Sequence, residues 1–195
     1  MKTNRLVLAA LVSSALLSTN ALAADGTINF TGAITASACT TVVGASSGGS
    51  TPTTTGAIVT LPNVAATSLP TAGTYAGNTA FNIQLTGCQA TAALTNVRAL
   101  FTTATAEPSD IYVMKNTSTG GSAAQNVGVA ILTTAGTPID LNGGSRMDPG
   151  AVLPAAGGAA GPITLNYQAA YKALTTGAVG AGSVTANAEY TISYY

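Results

Sequence analysis

Residues 26–36 read GTINFTGAITA. Ile28, Phe30, Gly32 and Ile34 fall on alternate positions, with Thr27, Asn29, Thr31, Ala33 and Thr35 between them. That period of two belongs to a strand with one apolar side. One member of the apolar row is a glycine, a residue that in a strand often marks close approach of another backbone. The stretch precedes the first of two cysteines, Cys39 and Cys88, so it lies outside any loop that a disulfide between them would close. Two readings fit. It is the first strand of an ordinary β-sandwich, or it is an arm that adds a strand to another molecule's sheet.

Upstream, Met1–Ala23 has the layout of a secretory signal peptide. Lys2 and Arg5 supply the positive start, and Leu6–Leu17 is apolar apart from Ser13 and Ser14. Ala21-Leu22-Ala23 predicts cleavage before Ala24. The apolar run is short for a bilayer span, and Gly, Thr and Asn interrupt every later one. The expected mature chain is exported, with about 170 residues, enough for one domain with a real core.

Downstream, charge is sparse. Arg98, Lys115, Arg146 and Lys172 stand against Asp25, Glu107, Asp110, Asp140, Asp148 and Glu189. The resulting net charge of about −2 gives no basic face for nucleic acid or an anionic membrane. A surface of Thr, Ala, Gly, Ser and Asn with so few charges suits a subunit that packs against copies of itself. Export places the two cysteines in an oxidising compartment, where one disulfide is the expected outcome. The loop it closes has about 50 residues, for which the chain-entropy argument gives roughly 4 kcal/mol. Two cysteines in a chain without histidine argue against a metal centre.

The rest of the chain reads as short strands between turn residues. Thr40–Val43 is β-rich, and Gly44–Gly56 is a surface loop. Ala57–Leu61 predicts a strand closed by Pro62, and Asn63–Gly77 a loop. Phe81–Leu85 alternates and leads to Cys88. Asn96–Thr102 and Ile111–Met114 predict strands, with a turn at Glu107–Asp110 and a loop at Asn116–Ser122. Asn126–Thr133 places Val127, Val129 and Ile131 on one face, and Thr134-Ala135-Gly136 predicts a hairpin into Pro138–Leu141. Asn142–Gly161 is rich in Gly, Pro and Ala and predicts no element. Ile163–Ala173 alternates, and Gly177–Gly182 reads as a turn. In Val184–Tyr195, Val184, Ala186, Ala188, Tyr190, Ile192 and Tyr194 form one face. No segment after the leader has sustained helical spacing, so the fold class is all-β, a sandwich. The last strand has Glu189 as its sole charge, although edge strands usually blunt themselves with charges, prolines or bulges. Something is expected to cover it.

These residues together resemble the major-subunit pilins of chaperone–usher fimbriae, most closely the type 1 group. The resemblance rests on GTINFTGAI with Ala38-Cys39 following, on FNIQL before Cys88, on NVGVAIL with its turn, and on ANAEYTISYY. It also rests on Tyr194 as the second-to-last residue and on Gly182, fourteenth counting back from the end. It implies an incomplete immunoglobulin-like β-sandwich lacking its last strand, completed by a donor strand from another subunit. The implied divisions are a signal peptide at 1–23, an arm at 24–36 and a pilin domain at 37–195. Ile28, Phe30, Gly32 and Ile34 of the arm would enter a groove beside the last strand, lined from Gly182 and Val184 to Tyr194. A periplasmic chaperone would fill that groove first and grip the terminal carboxylate of Tyr195. An outer-membrane usher would then exchange the chaperone for the next subunit's arm. The implied location is an extracellular fimbrium reached through the periplasm.

Catalysis finds no support in the residues. The chain has no histidine, both thiols are expected to be oxidised, and no phosphate-binding, calcium or nucleophile-elbow motif occurs. Glu107 with Asp110, and Asp140 with Asp148, lie beside Pro, Gly or Ser and read as solvated loop charges rather than a glycosidase pair. Asn29-Phe30-Thr31 and Asn116-Thr117-Ser118 match a glycosylation sequon, a pattern short enough to arise by chance. Tyr190 and Tyr194 read as core rather than as a carbohydrate platform. The functional readings are thus a polymerising shaft subunit without cofactor or, alternatively, a minor tip adaptor or adhesive binding module of the same fimbria.

Overall fold

The computed structural model describes residues 39–45, 57–142, 148–174 and 177–195. The chain divides into two units, Met1–Thr35 and Ala36–Tyr195, and every described residue belongs to the second. The leader and the arm, with Ile28, Phe30, Gly32 and Ile34, lie outside the described residues.

Nine strands follow in order: β1 (Thr40–Ala45), β2 (Tyr75–Cys88), β3 (Asn96–Thr102), β4 (Ala106–Glu107), β5 (Asp110–Lys115), β6 (Val127–Thr133), β7 (Ala151–Val152), β8 (Gly161–Ala173) and β9 (Glu189–Tyr194). Among the described residues the single helical turn is 3-10, at Ala66–Ser68. One sheet has the order β1-β2-β8-β6-β5-β4 and the other β7-β3-β9, with antiparallel pairing throughout. This is the expected immunoglobulin-like sandwich one strand short: β9 has β3 on one side and no described strand on the other.

Alternation supplies the core. Phe81, Ile83 and Leu85 of β2, Val97, Ala99 and Phe101 of β3, and Ile163, Leu165 and Tyr167 of β8 are all buried in one cluster. The rings of Phe81, Phe101 and Tyr167 meet at its centre, with centroids 5.0–6.3 Å apart. Burial of such side chains stabilises by about 1.5–3 kcal/mol each. Cys39 and Cys88 are bonded, with Cα atoms 5.0 Å apart, which ties the start of β1 to the end of β2.

The structure corrects several local expectations. Ala57–Leu61 is extended, yet it joins neither sheet, because no described strand lies beside it to supply a ladder. β6 is buried on both faces rather than one, being flanked by β8 and β5 and covered on either side. The Gly- and Ala-rich stretch 142–161 does contain an element, the two-residue β7 paired to β3. The expected hairpin at 134–141 is present as a bridge between Leu132 and Pro138, with Ile139 and Leu141 fully buried. Asp140 and Asp148 are buried, not solvated. Asp140 accepts the Asn142 N–H at 2.8 Å. Asp148 accepts the Gly150 N–H at 2.9 Å and the Tyr167 hydroxyl at 2.8 Å. A buried carboxylate is tolerable when its acceptor sites are filled in this way. Burial, and then the neighbouring Asp148 charge, push the Tyr167 pKa upward and keep its phenol a donor.

Candidate strand-acceptor site

Two extended stretches share one property, an apolar face on the main core and no described ladder partner on one side. The first is β9 with its lead-in. Val184, Ala186, Tyr190, Ile192 and Tyr194 pack on the main core cluster as half-buried side chains. Ala188 departs from the row and is exposed. β9 itself begins at Glu189, five residues later than the alternation that starts at Val184, so the last strand is shorter than expected. The reason lies in its neighbours. Among the described residues no strand of the short sheet lies beside 183–187, which are held instead by main-chain bonds to Ser122, Ala124 and Thr117 and by loop side chains. Asn116 Nδ2 donates to the Ser183 carbonyl, and its Oδ1 accepts the Thr185 N–H, both at 3.0 Å. The Thr103 hydroxyl donates to the Asn187 carbonyl at 2.8 Å.

The second stretch is 57–62. Ala57, Val59 and Leu61 pack on the same cluster while Ile58, 78% exposed, points away. Among the described residues no main-chain hydrogen bond is made by 57–64. An extended segment with a core-facing row and no described ladder partner has the character of one side of a strand pairing.

The end of the chain is anchored at both faces. The Tyr194 hydroxyl accepts the Cys39 N–H at 3.0 Å, across 155 residues of sequence. The Tyr195 main-chain oxygen accepts from the N–H groups of Thr95 and Asn96 at 2.9 and 2.8 Å. Its hydroxyl donates to the Pro149 carbonyl at 2.7 Å, and the Arg98 guanidinium lies 3.9 Å from its ring centroid.

Gly182 is where the lead-in crosses Ser122–Ala124. It has φ +156°, and a Cβ there would lie 2.4 Å from both the Ser122 oxygen and the Ala124 nitrogen. No side chain fits. Beside it a cavity of about 240 Å³ is lined by Val64, Leu69, Val127, Tyr171 and Val184 among others. Tyr190 and Tyr194 are half-buried on the core, as a structural role requires. Among the described residues no three Asp, Glu, Cys or His side chains gather as a metal-holding group.

Of the residues marked in the sequence, the structure brings Gly182, Val184, Ala186, Tyr190, Ile192, Tyr194 and Cys39 to one site. It adds Ala57, Val59, Leu61, Asn116 and Thr103. The first three carried an alternation signal. The last two carried none, since their partners lie 67–69 and 84 residues away.

The fimbrial protein family matches residues 28–195. A type-1 fimbrial protein subunit of Serratia marcescens is 35% identical over 196 residues, spanning 100% of this chain and 99% of the relative. A major fimbrial subunit of Stenotrophomonas maltophilia is 34% identical, over 88% of this chain and 94% of that protein. Among solved structures, a chaperone–usher pilus shares the fold at 16% identity with a TM-score of 0.58, covering 88% of this chain and 96% of that one. A Burkholderia pseudomallei antigen and type I fimbria protein does so at 24% identity and a TM-score of 0.50, covering 80% and 97%.

Proposed function

This chain belongs to the fimbrial protein family, which is structural and not enzymatic, and from that membership we propose that it is a major shaft subunit polymerising by donor-strand exchange. The observation that carries the reading is the pair of stretches on the core, β9 with its lead-in and residues 57–62, each with a ladder side that no described strand occupies. In this reading the arm of a second copy lies along them. Ile28, Phe30 and Ile34 supply the apolar row, and Gly32 stands where the backbones come closest. Three large side chains so buried contribute about 1.5–3 kcal/mol each. The ladder bonds add a net increment of about 1 kcal/mol apiece.

The same reading gives the leader at 1–23 its export role, and gives the groove a periplasmic chaperone before an outer-membrane usher passes the subunit on. The finished protein is then part of an extracellular fimbrium. The near end-to-end match to subunits named type-1 and major favours a shaft role over a tip adaptor.

The test is assembly. Exported wild-type chain, run on SDS gels without boiling, should form a ladder that collapses on heating. Ile28→Asp or Phe30→Asp should abolish the ladder while the monomer stays folded and oxidised. Normal polymers from either variant would remove the arm from the mechanism.

A further inference from the structure

The lead-in to β9 poses a physical question that the fold leaves open. Residues 183–187 carry Val184 and Ala186 of the core-facing row but lie outside the ladder that holds β9. A segment without ladder bonds frays unless something else fixes it. Ser183 is bonded through its main chain to Ser122 and Ala124, and the Thr103 hydroxyl holds Asn187; the side chain that reaches both Ser183 and Thr185 is that of Asn116. Asn116 uses all four of its bonding positions. Nδ2 donates to the carbonyls of Ala124 and Ser183, each at 3.0 Å. Oδ1 accepts the N–H groups of Ser118 and Thr185, each at 3.0 Å. Ala124 and Ser183 are themselves bonded, Ala124 N–H to Ser183 carbonyl at 3.0 Å. Thr117 then doubles the hold on Thr185, whose carbonyl receives its N–H at 2.8 Å and its hydroxyl at 3.0 Å.

Between the two residues that Asn116 grips, Ser183 and Thr185, stands Val184. Val184 lines the 240 Å³ cavity at the start of the acceptor face, and Val64, two residues beyond the 57–62 stretch, lines it too. We propose that Asn116 is a positioning residue for strand acceptance: by holding Ser183 and Thr185 it sets Val184 as a fixed wall of the acceptor site before the incoming arm arrives. This rests on the strand-exchange reading above. It assigns the NTS sequence at 116–118 a structural use, since the amide that a glycan would occupy is committed to two carbonyls. Pre-ordering the acceptor removes an ordering cost from the encounter, so its loss should slow uptake.

The experiment uses the exported full-length chain, unfolded with its disulfide intact and diluted to a concentration where it stays monomeric. A labelled peptide reproducing residues 24–36 is then added, and the rate of uptake is read by fluorescence anisotropy. Asn116→Ala should slow uptake about tenfold, the size expected when one or two net hydrogen bonds are lost from the acceptor. Asn116→Asp keeps the two acceptor bonds but turns a carboxylate oxygen toward the Ala124 and Ser183 carbonyls, so it should slow uptake at least as much as Asn116→Ala. Asn166→Ala, on the exposed face of β8, should not slow it. Val184→Ala should slow uptake in the wild-type background and add little to Asn116→Ala, because both act through one wall. A general loss of stability would instead add. Equal rates for wild type and Asn116→Ala, or full additivity with Val184→Ala, would overturn the proposal. If the wild-type chain takes up no peptide, strand exchange fails as the function. Asn116 is then judged by amide exchange alone: protection at Thr185 and Ser118 must fall in Asn116→Ala, and unchanged protection sinks it.

Discussion

Tyr194 and Tyr195 are neighbours in sequence and face opposite ways, as the period of two demands. Tyr194 lies on the core side and accepts the Cys39 N–H. Tyr195 lies under Arg98 and reaches Pro149. Tyr194→Phe keeps the ring and orphans the Cys39 N–H, so it should lower the guanidinium midpoint by an equivalent of about 1 kcal/mol with the slope unchanged. Tyr194 was legible from its place in the alternating row, but its partner was not, since nothing local joins positions 155 apart. The same holds for Lys172 and Asp110, which form an ion pair with Lys172 also 5.4 Å from the Tyr75 ring centroid. Burial pulls the Lys172 pKa down, and its hydrogen bonds and attraction to Asp110 and Tyr75 outweigh that and leave it raised above 10.5. A raised folded value contributes stability that is fully present below the unfolded pKa and lost as pH rises through the folded one. Thermal melts should therefore show an alkaline decline starting above pH 10.5. Asp110→Asn should lessen it without abolishing it, since buried Tyr167, its pKa also raised, contributes a decline in the same range, and an identical decline in that variant would remove the pair as a source. Asp148 was misjudged as a loop charge because the Tyr167 phenol that satisfies it comes from another strand.

At the scale of elements, the alternating segments were read well. Asn96–Thr102 matches β3 residue for residue, and Phe81–Leu85 is the buried middle of β2. The failures have one cause. Alternation reports that a segment is extended and one-sided, whereas strand status needs a partner. Residues 57–61 and 184–187 keep the first property and have no described strand partner for the second. The lead-in also depends on a close main-chain crossing at Gly182. Gly182→Ala would place a methyl 2.4 Å from backbone that cannot move aside. It should cost about 3 kcal/mol, read as a lower midpoint and an earlier trypsin cleavage. A folded Gly182→Ala with wild-type stability would show that the crossing is looser than its geometry implies. The two-residue β7 was invisible because two residues carry no period, and its pairing at Asn96 and Val97 is set by the sheet and not by its own sequence.

At the scale of the molecule, the all-β sandwich was legible from strand spacing, and the sheet order β1-β2-β8-β6-β5-β4 was not. That order is decided by which apolar faces fit together across long sequence separations. Cys39 shows what the finished arrangement does under load. The chain preceding it is the segment proposed to be held by a neighbouring subunit. A pull along that segment reaches Cys39 first, and there the force divides. Part enters the large sheet through the disulfide to β2, and part enters the short sheet through Tyr194. β1 carries little of it, because its ladder to β2 begins at Thr40, beyond the covalent shunt. In the proposed filament such units should stretch as a string of stiff links. Reduction of the one sulfur bridge would route tension through β1, let it peel, and turn each link into a spring.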